Sequence, residues 1–183
     1  MTDAKEQLLG RVMDDVAEHG LGDRSLREIA TEVGSSHRML LYHFGSREGL
    51  ITEIVTSVES AQRDQLTGIA KDATDETDLL RGIWSQVSDE ELRPFVKLFF
   101  EVLSLAIKGQ PGTEGFLEGL SQPWLDQGEE ISERLGLNVD ETDMRLSLAV
   151  GRGLLIEVLA TGSTTEATES LERFLDMWGT ARA

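Results

Sequence analysis

Residues 25–50 read SLREIATEVGSSHRMLLYHFGSREGL, a stretch in which two short helical patterns stand on either side of a glycine. Ser25 and Glu28 have the spacing of a capping box, in which the serine hydroxyl accepts an amide of the first turn and the glutamate reaches back. Gly34 lets the chain reverse after the first helix, and Ser36 can cap the second. The stretch therefore predicts a short helix, a glycine turn and another short helix.

The apolar residues of these two helices are spaced so that they can pack across the turn. The small side chain of Ala30 lets the helices cross closely. Two short helices in this arrangement form a helix-turn-helix, whose second helix enters the major groove of DNA. On the pattern alone, a helical hairpin in an ordinary bundle is the alternative. The packing residues are Ile29, Ala30 and Val33 on the first helix and Leu40, Leu41 and Phe44 on the second.

The second helix of the motif carries polar side chains and no carboxylate, as a surface that faces phosphates requires. The formal charge of the whole chain is −17, from 17 Lys and Arg against 34 Asp and Glu, and this opposes binding to nucleic acid. Residues 20–50 differ from the rest, because four Arg balance four acids there. The side chains predicted to face outward are Ser36, His37, Arg38, Tyr42 and His43.

The remainder of the chain also predicts helices, and the fold class is all-α. Aromatic residues make up only 5% of the sequence, and it has 3 prolines, which favours helices over a β-sandwich or barrel. Apolar residues recur at helical spacing over 5–19 and again from residue 50. The polar stretch 71–78 is a loop or helix break. Further helices are predicted over residues 78–88, 89–109, 113–136, 141–161 and 165–179.

Several functional classes are excluded by what the sequence lacks. It has no cysteine, which excludes disulfides, zinc fingers, iron–sulfur clusters and thiol catalysis and favours a reducing, cytoplasmic location. It has no Walker loop, nucleophile elbow or metal-ligating histidine pattern, so we expect no enzyme activity, cofactor or metal. No apolar run approaches the roughly 20 residues of a membrane span, so a membrane is not an expected partner.

Residues 4–58 resemble the DNA-binding domain of the tetracycline-repressor (TetR) family of bacterial regulators. The resemblance implies an all-α homodimer that binds a palindromic operator in double-stranded DNA. It also implies repression that ends when a small-molecule effector enters the C-terminal domain. The matching motifs are Leu26-x-x-Ile29-Ala30-x-x-Val33-Gly34, Leu40-x-Tyr42-His43-Phe44 and Gly45-Ser46-Arg47-Glu48-Gly49-Leu50.

The resemblance assigns DNA contacts to eight residues around the motif. It implies that side chains at the start of the first short helix contact phosphate or a base edge, that the second helix enters the major groove, and that a third group grips phosphates. The sequence departs from the usual pattern at Ser35, Arg38, Met39 and Leu41, so an operator cannot be carried over from a relative. In the same order, the residues of these three groups are Ser25 and Arg27; Ser36, His37 and Arg38; and Tyr42, His43 and Arg47.

Two domains are expected. Residues 1–47 form the helix-turn-helix DNA-binding domain, which continues into a linker helix over 47–70. Residues 71–183 form a helical domain for ligand binding and dimerisation. An acidic helical protein-interaction module without DNA binding is the alternative function, because the net charge is strongly negative.

The second domain has two further candidate sites. Aromatic residues and one methionine can line an effector pocket between helices. Small residues over 141–161 and an apolar stripe over 165–179 are candidates for the dimer interface, as the family's last two helices imply. The pocket candidates are Trp84, Phe95, Phe99, Phe100, Phe116, Trp124 and Met144. The dimer candidates are Ser147, Gly151, Leu155, Leu171, Phe174, Leu175 and Trp178.

Overall fold

The computed structural model describes residues 2–181, with side chains described from 4 to 179. Helices are the regular elements of this part of the chain, and no strand occurs within it, which confirms the predicted all-α fold. A single turn of 3₁₀ helix over Glu90–Leu92 precedes the sixth α-helix. The α-helices are α1 Thr2–His19, α2 Leu26–Glu32, α3 His37–Phe44, α4 Arg47–Asp72, α5 Glu76–Val87, α6 Arg93–Ile107, α7 Gln122–Leu135, α8 Glu141–Thr161 and α9 Thr165–Ala181.

The predicted capping box at the start of α2 is present. The Ser25 hydroxyl accepts the Glu28 amide at 3.4 Å, and Glu28 Oε2 accepts the Ser25 amide at 2.8 Å. The Ser25 hydroxyl, which donates to Glu28 Oε2 at 2.7 Å, and the Ser25 amide lower the pKa of the Glu28 carboxyl, because both stabilise its charged form. Ser36 caps α3 by accepting the Met39 amide at 3.2 Å. Gly34 turns the chain between the two helices with a φ of 63°.

One predicted helix is wrong in its first part. The segment 113–136 was expected to be helical throughout, but α7 begins only at Gln122 and residues 114–121 form turns that lead into it. Gly112 and Gly115 have positive φ angles, which an α-helix does not allow. The Thr113 hydroxyl also donates to the Gln110 carbonyl at 2.7 Å, which holds the turn closed. Local glycine conformations therefore end the helical pattern there.

The described chain forms two compact units. Unit 1 contains the residues up to Ala61 together with Glu91–Leu120, so α6 packs with the helix-turn-helix. Unit 2 contains Gln62–Glu90 and the described residues from Ser121 onward. The helix α4 contributes its first part to unit 1 and its last part to unit 2.

The core of unit 1 is one apolar cluster. Side chains from α1 to α4 pack there with four side chains of α6 and with Phe116. Its most deeply buried large side chains come from all four of α1 to α4, and those of α1 and α4 recur at helical spacing, so these two helices hold α2 and α3 in place. They include Val12, Val16, Ile29, Leu40, Leu50, Ile51 and Ile54.

Unit 2 has two apolar clusters. One joins Trp84 of α5 to Val158 of α8 and to the inner face of α9. The other joins the end of α4, with Leu66 and Ala70, to Ile131 of α7. A paired ionic contact also ties α5 to α9, because Arg81 Nη2 donates to Glu172 Oε2 at 2.7 Å.

Candidate nucleic-acid interface

The helix α3 packs on α2 through one face. Leu40 and Phe44 are buried beside Ile29 and Ala30, as the sequence predicts. Leu41 was expected to join them, and this is wrong, because it is 40% exposed. Successive residues of an α-helix are turned by about 100°, so an inner face at Leu40 and Phe44 turns Leu41 toward the outside.

The outward face of α3 presents donors and apolar groups. Tyr42 is 63% exposed, and Ser36 and Arg38 are exposed as well. Residues 35–46 contain no Asp or Glu, so nothing on this segment repels phosphate. His37, at the first position of α3, is half-buried. The face has the size and polarity of a recognition helix that reads DNA.

His43 lies at the edge of this face. Its ring packs edge-to-face on Tyr42, with centroids 4.9 Å apart. Its Nε2 atom is buried and has no hydrogen-bond partner among the described residues. In this conformation Nε2 does not reach a phosphate, although the half-buried ring supports Tyr42 from behind.

The two residues assigned at the start of α2 are both exposed. Ser25 uses its hydroxyl in the capping box, where it donates to Glu28 Oε2 at 2.7 Å. Arg27 lies in the first turn of α2, and its side chain is exposed. Arg27 is therefore the freer of the two to meet a phosphate.

Arg47 is held inside unit 1 by three donated hydrogen bonds. Its Nε donates to the Arg24 carbonyl at 3.1 Å and its Nη2 to the Gly22 carbonyl at 2.7 Å. Its Nη1 donates to Glu101 Oε1 of α6 at 2.8 Å, and the two side chains form an ion pair. This cation stabilises the turn between α1 and α2, so a phosphate contact by Arg47 requires some of these bonds to be exchanged.

The sequence did not predict the contacts that join α6 and the loop after it to α4. Glu101 of α6 makes one of these contacts through its ion pair with Arg47. The Thr52 hydroxyl donates to the Gly112 carbonyl at 3.0 Å. A Cβ at Gly112 would lie 2.9 Å from the Gly49 nitrogen, so a larger residue does not fit there. No local pattern signals contacts between residues so far apart in the chain.

The seven residues proposed as a pocket lining are not gathered into one cluster. Phe95, Phe99 and Phe116 belong to the core of unit 1 or pack against it, and Phe100 contacts Phe99 edge-to-face at 5.1 Å. The remaining three lie in unit 2, in different places. Trp84 is in the cluster with α9, Trp124 packs on the other cluster, and Met144 lies against Gly128.

Three of the residues predicted for the dimer interface belong to the core of unit 2. Leu171, Leu175 and Trp178 are buried within the described chain, because α5 and α8 cover that face of α9. The indole of Trp178 donates to Glu76 Oε1 at 2.8 Å, which uses its one donor. Phe174 is half-buried, with its ring centroid 5.1 Å from that of Trp178.

The other three dimer candidates lie on α8 and are half-buried. Leu155 packs on the same cluster as the inner face of α9. The Ser147 hydroxyl donates to the Met144 carbonyl at 2.8 Å, and nothing lies within 4 Å of a Cβ built at Gly151. The large apolar side chains that remain exposed on the last two helices are instead Leu146, Ile156 and Met177.

Within residues 4–179, no group of three or more His, Cys, Asp or Glu side chains is placed to hold a metal ion. Of the helices described, none combines the length and the apolar character that crossing a membrane requires.

The comparisons with known proteins point to one family. Residues 16–54 match the model of the bacterial regulatory proteins, tetR family. No curated protein sequence matches the chain significantly. A TetR-family transcriptional regulator from Rhodococcus sp. has a similar structure, with 19% identity, a TM-score of 0.71, and 97% of this chain and 98% of that one covered.

Two further solved structures are similar over nearly the whole chain. A TetR transcription regulator from Haloarcula marismortui shares 17% identity with a TM-score of 0.74, covering 99% of this chain and 98% of its own. The multidrug binding protein EbrR, complexed with imidazole, shares 22% identity with a TM-score of 0.62, covering 94% and 90%. Residues 16–54 thus match the tetR family model, and the described part of the chain has the same fold as these solved transcriptional regulators.

Proposed function

We propose that the protein is a cytoplasmic repressor that binds a palindromic operator as a homodimer and leaves it when a small-molecule effector binds. The observation that carries the DNA-binding half of this proposal is the outward face of α3. It is free of carboxylates in an otherwise acidic chain, and two capped helix starts hold it in place. Ser25, Arg27, Arg38 and Tyr42 are the exposed residues from which we expect DNA contacts.

The test is selection of bound sequences from a random pool of double-stranded DNA by the purified chain. A two-fold dimer presents two copies of α3 about 34 Å apart, or a multiple of that distance, along the helix axis. We expect an inverted repeat whose half-sites have this spacing. Failure to enrich any sequence at low salt would favour the second candidate, an acidic protein-interaction module, which the net charge of −17 supports.

The dimer is proposed to form through the exposed side of α8. Leu146, Gly153 and Ile156 are exposed, and spacings of seven and three residues place them on one side of the helix. Ile156 is 54% exposed, which is costly for a large apolar side chain without a partner. A second copy of the same helix would cover this stripe, and Gly153 would allow the two backbones to approach closely.

The effector is proposed to be held in unit 2 by a hydrogen bond to Gln62. This residue of α4 is 9% exposed, and its Oε1 atom has no partner among the described residues. Spacings of four residues place it on the same side of α4 as Leu66 and Ala70, which belong to an apolar cluster. A buried carbonyl oxygen among apolar groups favours a largely apolar ligand that donates one N–H or O–H.

Replacement of Gln62 with Leu is expected to stabilise the protein and to reduce the extent to which the effector releases it from operator DNA. An unpaired buried acceptor costs about 1–3 kcal/mol, and removal of this cost raises the melting temperature by about 2–4 °C per kcal/mol. The measurement is thermal denaturation, with Thr67→Leu as control, because Thr67 is exposed on the same helix. A fall in melting temperature larger than that of the control would contradict the assignment.

Effector binding itself is measured by calorimetry with and without operator, using aromatic amines and their fully N-methylated counterparts. A ligand that releases DNA 100-fold must prefer the free protein by about 2.7 kcal/mol, and operator must weaken its binding equally. We expect this for the donor-bearing amines alone. Equal affinities in the two titrations would mean that the compound binds without acting as an effector.

A further inference from the structure

The residues of α3 outside its buried face divide into two sides. With Leu40 at the origin and 100° per residue, His37, Leu41 and Arg38 lie at about 60°, 100° and 160°. Tyr42, Met39 and His43 lie at about 200°, 260° and 300° on the same wheel. The first set contains the two side chains expected to enter the major groove. The second contains Tyr42, which we expect to contact a phosphate, and His43, whose ring packs on Tyr42.

Leu41 is the apolar member of the first side. It is 40% exposed, and Met39 on the other side is 41% exposed, so the two are matched in exposure and in lack of hydrogen-bonding groups. An apolar side chain gains nothing from a phosphate. On a base edge in the major groove, the apolar group that distinguishes one base is the C5-methyl of thymine.

Given the DNA-binding function proposed above, we propose that Leu41 contacts the C5-methyl group of a thymine in each operator half-site and specifies that base. Leu41 stands four residues after His37 and three after Arg38, so it faces whatever they face. It is the fifth of the eight residues of α3 and lies one turn after His37 and Arg38, which stand at the N-terminal end, the part of a recognition helix that meets base edges. Its branched side chain covers a methyl group and excludes water from it.

The size of the effect follows from the group that is recognised. Removal of one methyl from a closed apolar contact costs about as much as exposing one CH₂, which is about a fourfold loss of affinity per half-site. Two half-sites act together in a dimer, so the operator as a whole loses about 15-fold when both contacts are removed.

The experiment exchanges thymine for deoxyuridine, which removes only the C5-methyl. Symmetric pairs of thymines in the selected operator are replaced one pair at a time, and affinity is measured by fluorescence anisotropy for the wild type, Leu41→Ala and Met39→Ala. We expect one pair at which the wild type and Met39→Ala lose about 15-fold, whereas Leu41→Ala binds thymine and deoxyuridine operators equally. Circular dichroism establishes that both variants are folded.

Three results would overturn the assignment. If Leu41→Ala keeps the full deoxyuridine sensitivity, another residue reads the methyl. If Met39→Ala alone loses it, the two sides of α3 are interchanged. If Leu41→Ala lowers the molecular mass of the protein in light scattering instead, the residue belongs to a protein interface. These results differ from failure of the proposed function itself, in which the wild-type chain selects no operator.

Discussion

Replacement of Ile156 with Glu is expected to convert the dimer into monomers with little affinity for operator. The side chain is more than half exposed in the described chain, so the substitution leaves the core of unit 2 intact. In a two-fold interface the new carboxylates of both copies face each other in an apolar seam, and an uncompensated buried charge costs about 3–5 kcal/mol. Molecular mass by light scattering and operator affinity by anisotropy are measured on the same preparation.

Two control variants test whether the loss of the dimer is specific to Ile156. Thr142→Glu adds the same charge at an exposed position in the first turn of α8, and we expect a dimer with unchanged affinity. Phe174→Glu changes a half-buried ring that packs on Trp178, and we expect a lower melting temperature as its first effect. If Ile156→Glu remains dimeric, the proposed seam is wrong and the interface lies on another face.

Replacement of Arg38 with Ala is expected to cost about 1–3 kcal/mol of operator affinity per half-site and to relax the preference at one base pair. The guanidinium is exposed on the outward face of α3, where it can donate two hydrogen bonds to a guanine edge. Repeating the sequence selection with the variant shows which position of the consensus loses information.

Tyr42→Phe is the matched control for this loss of specificity. It removes one phenolic hydroxyl from the exposed end of Tyr42 and keeps the ring against His43. If the hydroxyl grips a phosphate, the variant binds all sequences more weakly by a similar factor and its consensus is unchanged. An unchanged consensus for Arg38→Ala would contradict the assignment of Arg38 to a base edge.

The DNA-binding motif could be predicted from the sequence because its determinants are local. The capping serines lie within three residues of the amides they accept, and Gly34 turns the chain at the place where it stands. Such signals are readable without knowledge of the rest of the chain. The buried side chains at Ile29, Leu40 and Phe44 follow the helical period, so the facing surfaces were also predictable.

The sequence pattern does not identify the free surface where a second element decides which face is covered. Leu40 and Leu41 are adjacent, so the sequence alone does not show which of them packs on α2. The choice is made when Phe44 is buried, because Leu40 and not Leu41 then shares its face. The stripe on α9 has the period of an interface, but α5 and α8 cover it within the described chain. α8 is apolar on nearly every side, so its free face could not be identified from periodicity.

Contacts between residues far apart in the chain could not be predicted from the sequence for the same reason. Arg47 matched a family motif and was assigned to DNA, yet it donates to Glu101, 54 residues later. The charge and place of Arg47 in the motif are local facts, but its partners depend on where α6 packs. No sequence pattern indicates that Gln62 is buried, because a lone polar residue on a long helix is usually exposed.

The place of α6 in the core of unit 1 has a consequence for biosynthesis. α1 to α4 leave the ribosome first, but four of the side chains that close their core belong to α6. Until the chain has been made past Ile107, the nascent DNA-binding helices expose an apolar surface that only later residues cover. The cell therefore receives a folded helix-turn-helix only after α6 has been translated, and a product truncated before α6 would be a substrate for chaperones and proteases.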